Sequence, residues 1–129
     1  MKSFIPWVLG GLLVLGILAQ GIAQTLSVDL NQASFTWTAS VADATHGTPT
    51  SYTMKCGTAA GGPYSTTKSV VGTPLPTSIA ANQVLTTPGT YFCVVTASNQ
   101  FGESLASNEV TFAIGYGPSG PTGLSIIAQ

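Results

Sequence analysis

Residues 85–104 read LTTPGTYFCVVTASNQFGES, and the fold is decided there. From Tyr91 to Ala97 the side chains alternate: Tyr91, Cys93, Val95 and Ala97 fall on one face, and Phe92, Val94 and Thr96 on the other. A period of two among β-branched and aromatic residues predicts a strand with one face in a core. Pro88-Gly89 ahead of it and Asn99 to Gly102 behind it are turn chemistry, which sets its limits.

Working outward, the same period recurs. Leu26, Val28 and Leu30 alternate, Asn31-Gln32 makes a turn, and Ala33, Phe35 and Trp37 alternate again. Residues 42–51 are a loop by composition, after which Tyr52, Met54 and Cys56 share a face. Beyond a Gly/Ala-rich turn at 57–63, residues 64–71 can form a further strand, and 72–76, with two prolines, should be irregular or edge-like. Residues 78–85 alternate weakly through Ile79, Ala81 and Gln83, whereas 108–114 put Val110, Phe112 and Ile114 on one side. Seven short strands with no helical period after the leader predict an all-β, antiparallel sandwich of two sheets.

Leu85, Pro88, Gly89 and Tyr91 have the spacing of the tyrosine corner, in which a Tyr hydroxyl bonds backbone across the turn before strand F. With Ala97, Asn99, Gly102 and Ser104, the stretch resembles the E–F–G region of the fibronectin type III domain. The resemblance covers residues 26–114 and implies a seven-stranded Greek-key sandwich, its domain bounded at 24–114. It also implies that Trp37, late in strand B, fills the centre of the core, with Tyr52, Leu85 and Tyr91 completing the core signature. Gly47-Thr48-Pro49 resembles that family's B–C connection. The Arg-Gly-Asp of some members is absent, so their integrin-type activity does not carry over.

Cys56 and Cys93 are the two cysteines. An even count in a secreted chain favours a disulfide, and here one connectivity exists. Tyr91-Phe92-Cys93 mimics strand F of immunoglobulin domains, but their order is Cys, Trp, Cys, and here Trp37 comes first. The fibronectin-like reading puts the cysteines on neighbouring strands C and F. If Tyr52 lies opposite Ala97, Cys56 lies opposite Cys93, and both face inward. A slip of one residue would turn a sulfur to the other face, and the alternative to a bridge is a pair of buried thiols packing as small hydrophobes.

Residues 1–23 form a separate unit: Lys2, then an apolar run at 4–19, then Gly21-Ile22-Ala23 as a small-residue exit. This is the pattern of a secretory signal peptide cut after Ala23, or after Gly21. An uncleaved anchor is the alternative, and residues 4–19 are then the chain's only membrane contact. Either way the rest of the chain is secreted or stands outside the cytoplasm.

Little here points to catalysis. Charged residues make up 5% of the chain, without arginine, so there is no basic stripe for nucleic acid. His46 with Asp43 is the one acid–base couple close in sequence, and it lies in a polar loop. One His and four scattered carboxylates fill neither a zinc nor a calcium site, and Gly61-Gly62 lacks the Lys of a phosphate cradle. None of Asn31, Asn82, Asn99 and Asn108 opens an Asn-x-Ser/Thr sequon. The expectation is a protein with no catalytic activity, cofactor or metal.

What remains is adhesion-type binding of a protein or glycan through loops 45–50 and 98–104, expected at one end of the sandwich. His46, Thr48, Asn99, Gln100 and Phe101 are the candidate contacts. Phe101 either projects as an aromatic platform or folds back over the sandwich end. Residues 115–129, GYGPSGPTGLSIIAQ, open as a Gly/Pro linker and end in an apolar run at 124–128. That tail is either a loose end or an extended donor segment that joins copies of the chain by strand addition in a filament or virion surface.

Overall fold

A computed structural model describes residues 24–128; the leader expected at 1–23 lies outside the described residues. These form eight strands: β1 (Leu26–Asp29), β2 (Ser34–Thr36), β3 (Ser51–Gly57), β4 (Thr66–Val70), β5 (Ser78–Ala80), β6 (Gly89–Asn99), β7 (Gly102–Glu103) and β8 (Val110–Gly115). One sheet runs β1-β8-β6-β3-β4, with β7 on the end of β6; β2 and β5 make the other. The all-β class expected from the alternation is what forms.

The layers meet over one core. The larger sheet contributes Tyr52, Met54, Cys56, Cys93, Phe112 and Ile114, and the smaller layer contributes Ile79, Ala81, Val84 and Leu85. Two aromatic contacts lock them edge to face: Phe35 on Phe112 at 5.6 Å and Trp37 on Tyr52 at 5.4 Å. Such pairs add about 0.5–1.5 kcal/mol to the burial itself.

Strand β3 lies antiparallel to β6 with Tyr52 opposite Ala97 and Cys56 opposite Cys93. The sulfurs are bonded, S–S 2.07 Å, across a Cα separation of 4.1 Å. So short a separation belongs to a non-hydrogen-bonded cross-strand position, where side chains stand closest. Just beyond, Gly57 packs so near the Pro63 carbonyl that a Cβ would lie 2.2 Å from its oxygen, so only glycine fits.

Several local expectations are corrected. Strand β1 pairs in parallel with β8, Leu26 opposite Phe112, where an antiparallel arrangement throughout was expected. The cause is a tight turn: the Asp29 carbonyl accepts the N–H groups of Gln32 and Ala33, its carboxylate accepts that of Asn31, and the chain crosses to the other layer.

The strand expected over 78–85 stops at Ala80 and gives way to a 3-10 turn at Ala81–Gln83. The exposed Asn82-Gln83 pair breaks the alternation, while Val84 and Leu85 return their N–H groups to the Ala81 carbonyl. Residues 64–71 shorten to β4 because Tyr64 turns toward Glu109.

Trp37 is half-buried beyond the end of β2 and does not fill the core centre; Leu85, Cys56 and Cys93 are the largest fully buried side chains. Leu26 and Val110, expected on inward faces, are 65% and 42% exposed.

The final strand is interrupted. Between β7 and β8, residues 104–107 lie along β6 with serine hydroxyls replacing backbone carbonyls. The Ala97 N–H donates to Ser104 Oγ at 2.9 Å and the Val95 N–H to Ser107 Oγ at 3.0 Å. In return, the Ala97 and Val95 carbonyls accept the N–H groups of Ser104 and Ser107. Strand β6 is also covered on both faces, since Val94 and Thr96 on its outer side are each 5% exposed.

Candidate functional site

Loop 45–50 and the β6–β7 turn do converge. The Asn99 side-chain amide donates to the Thr48 carbonyl at 3.2 Å, and the Thr50 N–H donates to the Ser98 carbonyl at 2.8 Å. The loop expected at 98–104 is a two-residue hairpin turn, Gln100-Phe101, with Asn99 paired to Gly102. Gly102 sits at φ +148°, a conformation that favours glycine, and Asn99 Oδ1 accepts the Phe101 N–H at 2.8 Å. Asn99 thus serves both loops, one with each half of its amide.

Phe101 is 86% exposed at the tip of this hairpin. It projects and does not fold back. Gln100, His46 and Thr48 are exposed around the same loops.

In the first loop Asp43 is the organiser. Its Oδ1 accepts the N–H groups of Thr45 and His46 at 2.8 Å each, and the His46 ring meets it at 2.9 Å. The Thr45 N–H, ahead of the His46 ring, holds the carboxyl at about 2, well below the usual carboxylate value. A His–Asp pair so exposed is a loop clasp. The Thr45 hydroxyl joins it, donating to Asp43 Oδ1 at 3.2 Å and lying 3.1 Å from His46 Nδ1, so all three side chains are tied within one exposed loop.

The other carboxylates are also engaged in structure. Lys55 Nζ pairs with Glu103 Oε2 at 2.7 Å, and Thr96 Oγ1 donates to the same oxygen at 2.6 Å. Lys55, ahead of Thr96, lowers the Glu103 pKa. Lys55 also stands opposite Val94, so its alkyl stem covers the outer face of β6 while its head reaches Glu103. The Tyr64 hydroxyl and the Gly61 N–H both donate to Glu109 Oε2, which raises the Tyr64 pKa. These clusters escaped the sequence reading; the outward register of Lys55 beside an apolar Val94 was the available signal. Among the described residues no group of three or more His, Cys, Asp and Glu side chains could hold a metal ion.

Of the remaining sequence-singled residues, Tyr91 donates its hydroxyl to the Thr87 carbonyl at 2.7 Å, across the turn before β6. The Tyr52 hydroxyl accepts the Ser40 N–H at 2.9 Å. Leu85 is 2% exposed beneath both. Compared with protein-family models, curated proteins and solved structures, the chain matches none.

Proposed function

We propose that this chain is a fibronectin type III-like module that acts outside the cytoplasm and binds a protein or glycan through its loop end, without catalysis. The Tyr91 bond across its turn and the pairing of β6 with β3 and β8 support the family reading. The Cys56–Cys93 bond supports an oxidising compartment, where disulfides persist. The observation that carries the binding reading is Phe101. A large apolar ring stands 86% exposed on a turn that Asn99 fixes from two sides. An aromatic presented with little freedom left to lose makes an efficient anchor.

The test is binding to a glycan array and to a panel of immobilised cell-surface proteins, with Phe101→Ala run in parallel. A hit by the intact protein should weaken at least about tenfold in the variant. Hits that Phe101→Ala leaves unchanged would sink the loop-end reading.

A second reading is an assembly subunit that joins copies by its tail. Its support is the tail itself: Leu124, Ile126 and Ile127 are 99%, 97% and 77% exposed. An uncovered apolar run of strand length favours a partner that covers it.

A further inference from the structure

The smaller sheet has an open side. Phe35 faces Ile79, the Trp37 N–H donates to the Thr77 carbonyl, and the Ala33 carbonyl accepts the Ala81 N–H. Odd-numbered residues of β2 therefore direct their backbone groups to β5. By the alternation of an antiparallel ladder, Ser34, Thr36 and Thr38 direct theirs the other way, where no strand pairs with them among the described residues. Because the turn at Asp29 sends β1 to the opposite layer, β1 does not cover this edge.

Beside that edge an uncharged groove of roughly 710 Å³ opens between the layers, with Phe35, Trp37, Met54, Leu105 and Phe112 on its walls and Ser and Thr residues along its rim. No charged side chain lines it. Edge strands in soluble proteins are usually guarded by a charge, a proline or a bulge, and β2 has none of these.

The same chain carries a segment of matching character. In 124–128, Leu124, Ile126 and Ala128 fall on one face at the period of a strand, and residues 115–129 contain no charge. Pairing the two buries no ion. Residues 116–123, with Gly117, Gly120 and Gly123 beside Pro118 and Pro121, form a Gly/Pro spacer. This spacer leads the run away from its own domain: apart from a 3.4 Å bond from the Tyr116 hydroxyl to the Thr86 carbonyl, residues 116–128 are exposed.

We infer that the free edge of β2 is the acceptor for residues 124–128 of a second copy. That strand adds to β2 through Ser34, Thr36 and Thr38, with Leu124 and Ile126 entering the groove. This rests on the assembly reading and supplies its acceptor. The interface is heterologous, tail into groove, so copies add head to tail and each end of a chain of copies stays competent.

The test uses the secreted-form protein with its disulfide intact and two variants. Ile126→Asp spoils the donor at a position too exposed to affect folding. Thr36→Pro removes one outward-facing N–H without touching the bonds to β5; Thr38→Pro replaces it if the first variant does not fold. Light scattering coupled to gel filtration should show association of the unaltered protein, monomers for each variant alone, and a dimer of doubled mass when the two variants are mixed. Only a donor and an acceptor on different surfaces give that complementation. Association that survives Thr36→Pro and Thr38→Pro but not Ile126→Asp would overturn the β2 acceptor while leaving tail-driven assembly standing. A strictly monomeric unaltered protein would overturn both.

Discussion

Strand β3 lies against β6 along its whole length, from Ser51–Ser98 to Gly57–Phe92, and a disulfide crosses the pair. Strand β2 meets β5 only from Ser34–Ala80 to Thr36–Ser78 and pairs with no other strand among the described residues. The first pair is flanked on both sides, by β4 and β8, and needs the second layer only to cover its face. The second is held to the molecule by side chains: Phe35 on Phe112, Trp37 on Tyr52, and Leu85 and Ile79 in the core. Backbone pairing and covalent bonding concentrate order in one layer. The other layer depends on packing, and its backbone remains available to a newcomer.

The largest effect should come from the disulfide. Cys56 and Cys93 are 37 residues apart, and closing a loop of that size is worth about 4 kcal/mol in the chain-entropy account. Stability of a domain is about 5–15 kcal/mol, so Cys56→Ala with Cys93→Ala should shift the urea midpoint far downward. If the double variant loses less than about 1 kcal/mol, the larger sheet does not owe its advantage to that bond, and the contrast between the layers weakens.

A smaller effect tests the packing of the other layer. Trp37 Nε1 is buried with no hydrogen-bond partner among the described residues, which costs about 1–3 kcal/mol. Trp37→Phe keeps an aromatic edge against Tyr52 and removes that donor, while giving up part of the indole's contact area. The two changes offset each other, so stability should move by less than about 1 kcal/mol in thermal unfolding. A loss above about 3 kcal/mol would mean that the indole anchors this layer through more than its contact with Tyr52.

The same contrast explains what could be read in advance. Strands β3 and β6 were legible because their alternation is strong and puts Tyr52, Cys56, Cys93 and Ala97 on inward faces; the register was an assumption in the sequence, and the structure supplies it by setting Cys56 opposite Cys93. The partner of β1 was not legible: alternation in Leu26 and Val28 says which side chains share a face, never which edge the backbone joins. Its fate is decided by three bonds to Asp29. The interruption at 104–107 was equally hidden, since a serine pattern there reads as a loop until its hydroxyls are seen taking the place of carbonyls on β6. At the loop end, composition pointed to Asn99 and Phe101, and the structure adds the bond from the Phe101 backbone N–H to Asn99 Oδ1 that closes the turn. Trp37 was misplaced because an aromatic at the end of a strand packs on the rim of a core as readily as in its middle.

The smallest effect belongs to neither layer and marks how far the loop end is independent of both. Asp43 holds the N–H groups of Thr45 and His46 with a carboxyl lowered to about 2, against about 3.9 in an unfolded chain. A depressed carboxyl adds local order that is complete above pH ~4 and is lost as pH falls through about 2. Followed by NMR, the Asp43 carboxyl carbon should titrate near 2, and the Thr45 and His46 amides should lose their hydrogen-bonded shifts over the same interval. Asp43→Asn should loosen those two amides at neutral pH while leaving the unfolding temperature unchanged, because the clasp is exposed and touches no core side chain. A carboxyl that titrated near 4 would mean the clasp is open in solution. His46 would then no longer be held in place beside Thr48, and the binding reading would rest on the Asn99–Phe101 turn alone.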